Sequence, residues 1–188
     1  MKYYEFVPGD TITIAPGRTL KRIRAVAEIA ELGVTPGQLG GYIEHEKNLF
    51  GDAWVYGGAR VYGNAQVSGN AWVSGGARVF DGAQVSGNAQ VYGDAQVSGD
   101  ARVSGDAWVY DNGLIFWASR VGSENGTLTV YNTKSHGLEV TCGHFRGSVE
   151  EFLAASKAKH DDDTHHEYRL LIEVATSRIT RARLKENA

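Results

Sequence analysis

The chain has 188 residues, a formal charge of -3, 24 glycines and a single cysteine. That length suits one medium domain or a domain with appendages, and the near-balanced charge excludes a broad phosphate-tracking surface for nucleic acid. Cys142 alone excludes an internal disulfide and any CxxC metal site, and the absence of a long apolar run or signal core predicts a cytoplasmic protein without membrane contact.

Residues 1–42 read as an N-terminal β cap. β-like runs around Tyr3–Val7, Thr11–Ile14 and Leu20–Val26 are punctuated by PGD and PGR turns, and residues 27–32 suit a helical turn. Such a segment would cover the unpaired strand edges of whatever follows.

Residues 43–122 repeat with a period of six. Aliphatic residues recur from Ile43 and Leu49 through Val55 and Val61 to Ile115 and Val121, without insertion or deletion, and most are followed four positions later by Ala. Each hexad predicts a short strand and a bend. The branched aliphatic points inward, and the Gly-Asn or Gly-Asp pair turns the backbone, since both residue types tolerate positive φ. Inward aliphatics at about 1.5–3 kcal/mol each supply the core. Coils of such strands stack about 4.8 Å apart.

The words GDAWVY, GNAQVS and GDARVS resemble the hexapeptide repeat of left-handed parallel β-helix proteins. That resemblance implies a mainly β fold, three hexads per triangular coil, a homotrimer, and a left hand against the usual crossover preference. The stretch TLKRIRAVAEIAELGVTPGQLGGYIE, followed by GDAWVY, resembles the opening of hexapeptide-repeat proteins common in phages and prophages, many of them labelled putative acyltransferases.

An 18-residue coil turns sequence into surface. Trp54, Trp72, Gln90 and Trp108 form one expected outward column; Arg60, Arg78 and Gln96 form a second; Gln66, Gln84, Arg102 and Arg120 form a third. The residue after each aliphatic adds a column of Tyr56, Ser74, Tyr92 and Tyr110. Exposed aromatic ladders are unusual on a monomer. They predict packing between protomers, ladders that simply stack against themselves, or a ligand face, in which Trp54, Trp72, Trp108, Tyr56, Tyr92 and Tyr110 stack on a flat molecule while Arg60 and Arg78 grip an anion.

Residues 123–188 read as a C-terminal α+β cap. GTLTVYN and GLEVTCGHF predict a hairpin, and two amphipathic helices follow. The first opens on a capping box from Ser148 to Glu151; the second repeats the device with Thr164 and Glu167, burying Tyr168, Leu171, Ile172, Ala175 and Ile179.

Chemistry is sparse. None of the six histidines falls within the repeats after position 45, so His45 is the only base candidate on the coils. Cys142 and His144, two apart on an expected strand, form a candidate thiol–base pair. HDDDTHH at 160–166 has the composition of a metal cluster, but reads more simply as a solvated interhelix loop. No Walker loop, dinucleotide fingerprint or hydrolase signature occurs. The expectation is a non-catalytic phage- or prophage-type protein, without cofactor or metal, that sequesters a small nucleotide-like ligand or occludes a host protein. Its alternative is a coenzyme A-dependent acyltransferase.

Overall fold

The six-residue period becomes a stack of three-sided coils. The structure is a computed structural model describing residues 3–15 and 17–186. Met1, Lys2 and Pro16, which the N-terminal reading included, lie outside the described residues. Strands β1 (Tyr4–Ile14), β2 (Arg18–Ala25) and β3 (Leu39–Ile43) precede the repeat. The sides of the first coil are then β4 (Trp54–Val55), β5 (Arg60–Val61) and β6 (Gln66–Val67). The next coil has β7 (Trp72–Val73), β8 (Arg78–Val79) and β9 (Gln84–Val85). A third has β10 (Gln90–Val91), β11 (Gln96–Val97) and β12 (Arg102–Val103), and β13 (Trp108–Val109) opens the last.

Parallel pairing sets Trp54 on Trp72, Trp72 on Gln90 and Gln90 on Trp108. It likewise sets Arg60 on Arg78 on Gln96, and Gln66 on Gln84 on Arg102. The chain is therefore a β-solenoid of about four coils with a C-terminal helical region. Inside, the Val and Ala of successive hexads, such as Val67, Ala71, Val73 and Ala77, are fully buried. Of each expected Gly-Asn pair, it is the glycine that takes the positive φ. At Gly69 (φ +68°) a Cβ would also come within 3.0 Å of the Gly87 nitrogen, so conformation and space both select glycine.

Each coil donates its backbone N–H groups to carbonyls of the following coil, as in Trp54 N–H to Ala71 O and Tyr56 N–H to Val73 O. The N-terminal end is closed by backbone. β3 pairs parallel with β5, and β2 and β1 extend the same sheet antiparallel. Between β2 and β3, residues 26–38 include a 3-10 turn at Ala30–Leu32, where a helical turn was expected.

The repeat ends earlier in space than in sequence. Asp111 caps a short 3-10 turn at Asn112–Leu114, and the Asn112 Oδ1 accepts the Gln96 N–H (2.7 Å) that another coil would have received. Ile115, Phe116, Arg120 and Val121 are therefore not part of the coils. They lie in β14 (Ile115–Val121), the edge of a four-stranded antiparallel sheet with β15 (Gly126–Asn132), β16 (Leu138–Cys142) and β17 (Phe145–Ser148). Arg120, expected at the end of the Gln column, instead sits at φ +61° where the β14–β15 register shifts.

Helix α1 (Val149–Lys159) starts at the expected capping box, with the Ser148 hydroxyl accepting the Glu151 N–H and the Glu151 carboxylate accepting the Ser148 N–H. Helix α2 (Asp162–Glu186) starts earlier than its expected cap. Thr164 lies inside it, and the Asp161 carboxylate takes the Thr164 N–H at 2.8 Å. Asp161 outranks Thr164 because a carboxylate at a helix start also meets the positive end of the dipole. Tyr168, Ile172, Ala175 and Ile179 are buried, and Leu171 is half-buried.

Candidate ligand-binding face

The face built from β4, β7, β10 and β13 carries the aromatic side chains. Trp residues project from the strands and Tyr residues from the corner that follows, so the two columns interleave. Tyr56 meets Trp72 edge-on at 5.8 Å, and Trp72 stacks on Tyr92 at 5.9 Å with planes 10° apart. Tyr92 lies 5.5 Å from Tyr110, Tyr110 lies 5.0 Å from Trp108, and Trp108 meets His136 at 5.9 Å. Trp72, Tyr92, Trp108 and Tyr110 are all half-buried. Each ring restrains its neighbour, so the surface is formed in advance of any ligand.

Trp54 departs from this set. It is fully buried rather than outward-facing. It belongs to the core with Ile29 and Val34 of the segment between β2 and β3, and that segment is held down where the Tyr56 hydroxyl donates to Leu32 O at 2.7 Å. The N-terminal cap has thus converted the first rung of the ladder into core.

Two walls bound the open rungs. On one side stand Glu31 and Leu32, with Glu31 hydrogen-bonded to Asn70. On the other stands the β15–β16 loop with Lys134 and His136. In the amide orientation of Gln90 that satisfies both of its ends, the oxygen accepts from Lys134 Nζ (2.8 Å) and Trp72 Nε1 (3.1 Å). Two concavities flank the Trp72 indole. One of about 470 Å³ lies among Leu32, Tyr56 and Trp72, and one of about 220 Å³ among Asn70, Trp72, Gln90 and Lys134.

Arg60 and Arg78 occupy the neighbouring face, beyond the tyrosine corner. Arg60 is half-buried and Arg78 exposed. Tyr62 and Phe80 stack at 5.1 Å on the next corner, with the Arg18 guanidinium 5.6 Å from the Tyr62 ring. The two arginines are therefore not brought together with the Trp72–Tyr110 ladder.

His45 is exposed at the corner between the Arg and Gln faces, with Glu44 3.6 Å away. Its backbone opens a short turn in which the buried Asn48 amide spans Gly63 O and Ala65 O. Cys142 and His144 do not share a strand side: Gly143 at φ +58° ends β16 between them, and His144 is exposed. Burial pushes the Cys142 thiol above its ordinary range, and its sulfur lies 3.7 Å from the Tyr168 hydroxyl. In the 160–166 segment four of the six ionisable groups turn to separate partners: His160 to Ser123, Asp161 to Thr164, His165 to Ser156 and His166 to Arg169.

One surface was missed by sequence reasoning. Tyr110, Asp111, Gly113, Arg178, Arg181 and Lys185 line a cleft of about 590 Å³ between the last coil and α2. The signal was the helical spacing of the three cations, but nothing local indicates what that helix face meets.

Among known families, the YdcK beta solenoid repeat matches residues 59–75, 65–81 and 95–111. All three segments fall within the coils, and the match agrees with the solenoid described above. A comparison with curated proteins finds no match.

Proposed function

We propose that this chain is a non-catalytic binding protein whose ligand face is the aromatic ladder from Trp72 to Tyr110. The observation that carries the reading is the pre-stacked, half-buried set of Trp72, Tyr92, Trp108 and Tyr110 standing open between two walls. Stacking against such rings is worth about 1–3 kcal/mol per flat group, and flanking concavities of a few hundred Å³ suit a small planar molecule. A transferase needs a base beside the reacting groups. His45 stands on a different corner from the ladder, which favours binding over turnover.

The proposal extends to a hexapeptide-repeat solenoid of left hand, of phage or prophage type, acting on a host ligand or partner and assembled as a homotrimer. The sequence resemblance supports these extensions. In a trimer that meets on this face, the concavities beside Trp72 become clefts between protomers. Sedimentation at micromolar concentration then gives a trimer that Trp72→Glu shifts toward monomer.

The binding test uses adenosine as an uncharged planar probe and tryptophan fluorescence as the readout. Saturable quenching that Trp72→Ala weakens at least tenfold, about 1.4 kcal/mol, is expected. Quenching that is absent at millimolar adenosine, or indifferent to Trp72→Ala, removes the ladder as a ring-binding face.

A further inference from the structure

The cleft between the last coil and α2 adds a charge to the aromatic face. Arg178, Arg181 and Lys185 fall on one side of the helix, each about one turn from the next, and all three line the cleft with exposed side chains. None of them makes an ion pair or a side-chain hydrogen bond among the described residues. Among the described residues, the only acid in the lining is Asp111, whose carboxylate already accepts the Gly113 N–H at 2.7 Å.

The register of the helix is fixed. The Arg183 guanidinium donates to Asn132 Oδ1 and to Gly137 O, both at 2.7 Å, tying α2 to the β15–β16 hairpin. Ala182 presses so closely on Gly113 that a Cβ there would come within 2.6 Å of the Ala182 Cβ. The three cations are thus held toward the coil rather than free to sweep solvent. Tyr110 is the joining element: it lines this cleft and lies 5.0 Å from Trp108 in the ladder.

We propose that this cleft binds the phosphate end of a nucleotide whose ring stacks on the adjoining aromatic ladder, with Arg178, Arg181 and Lys185 as the anion-binding groups. The ring half rests on the reading of the ladder as a planar-ligand face; the anion half stands on the cleft itself. Guanidinium pairs offer forked donors that match phosphate oxygens. A cavity of this size suits a mononucleotide. A long polyanion is disfavoured, because the chain as a whole carries a charge of -3. Cations near a helix C-terminus also favour the helix dipole, and a purely structural role of that kind predicts a loss of stability without any effect on anion affinity.

The experiment titrates the full chain calorimetrically with inorganic pyrophosphate, ADP and adenosine, in the wild type and in Arg178→Gln/Arg181→Gln. Expected are saturable binding of pyrophosphate and ADP, with ADP at least tenfold tighter, and a loss of at least tenfold for both in the variant at an unchanged melting temperature. Both affinities fall as salt rises, and adenosine affinity does not change in the variant. Should the double variant lose its fold, Lys185→Gln, at an exposed position, gives the same comparison with a smaller loss. Absence of pyrophosphate binding, or equal binding by wild type and variant, overturns the anion site while leaving adenosine binding to judge the ladder. Equal affinities for ADP and pyrophosphate reject the nucleotide assignment. Adenosine that fails to bind while pyrophosphate still responds to the arginines refutes the ladder and the nucleotide, and keeps only the anion cleft.

Discussion

At the N-terminal end of the solenoid, backbone closes on backbone: β3 pairs with β5, and β2 and β1 continue that sheet outward. At the C-terminal end, side chains do much of the same work, beside a backbone bond from Lys134 N–H to Asp106 O. The N–H groups of Arg102 and Ser104, at and just after β12, go to the Thr129 hydroxyl and the Tyr131 phenol, and the carbonyls of Arg102 and of Trp108 in β13 go to Thr141 and Asn132. All four capping side chains are buried. Burial also pushes the Tyr131 phenol up to about 12, so the group stays neutral wherever the fold is tested near neutrality. The difference has a consequence for surface. Backbone closure brings a covering segment over the adjacent rung and buries Trp54. Side-chain closure stops the sheet, lets α2 pack beside the last coil, and leaves Trp108 and Tyr110 half open next to a cationic cleft.

The sharpest way to break this contrast is at the N-terminal junction. Gly40 has Ile23 Cγ1 and Val55 O each 2.6 Å from where a Cβ would stand, and a carbonyl held in the first coil cannot step aside. Gly40→Val should cost about 3 kcal/mol, at the upper end for overpacking, and uncover Trp54. Urea unfolding and tryptophan emission read both effects. A midpoint within error of wild type would show that the N-terminal strands are an ornament rather than the seal of the solenoid.

The equivalent position at the other end is Gly113, against Ala182 of α2. Here the obstacle is a methyl on a helix that can tilt away. Gly113→Val should therefore cost only about 1 kcal/mol, yet displace the three cations and weaken pyrophosphate binding at least tenfold. A stability loss as large as that of Gly40→Val would mean that α2 is as integral to the coils as the N-terminal strands are.

How much of this was readable depends on how far each feature reaches along the chain. The coils were legible because nearly every hexad restates the same local demands: a branched residue inward, Ala beside it, Gly at the bend, with Asp81 at φ +59° standing in for Gly once. The burial of Trp54 was not, since Ile29 and Val34, which join the same core, lie outside the repeat with no periodic mark. The repeat's true end was hidden for the converse reason. Ile115 and Val121 keep the aliphatic spacing, while termination is decided by Asn112 and Asp111 side chains that capture backbone groups. Cys142 and His144 satisfied strand alternation on paper, but Gly143 turns the chain between them. The cleft depended on the Arg183–Asn132 contact across 51 positions, which no local pattern announces.

The smallest effect is expected where the sequence alone placed the anion contact. Arg60 and Arg78 pair in register on their own face, beyond the tyrosine corner and beside the Tyr62–Phe80 stack. Arg78 is exposed and Arg60 half-buried, and both carry long side chains whose removal leaves the Val61 and Val79 core untouched. Arg60→Ala with Arg78→Ala should thus shift stability by about 0.5 kcal/mol or less. If the phosphate end lies in the α2 cleft, pyrophosphate affinity should also stay within about twofold of wild type, a difference below about 0.5 kcal/mol. The two arginine pairs make a matched comparison: equal charge removed, one pair on the coils and one on α2, one binding readout. A tenfold loss in the Arg60/Arg78 variant, with the Arg178/Arg181 variant unaffected, would move the anion site onto the Arg face. The α2 cations would then be left with the helix dipole as their only role.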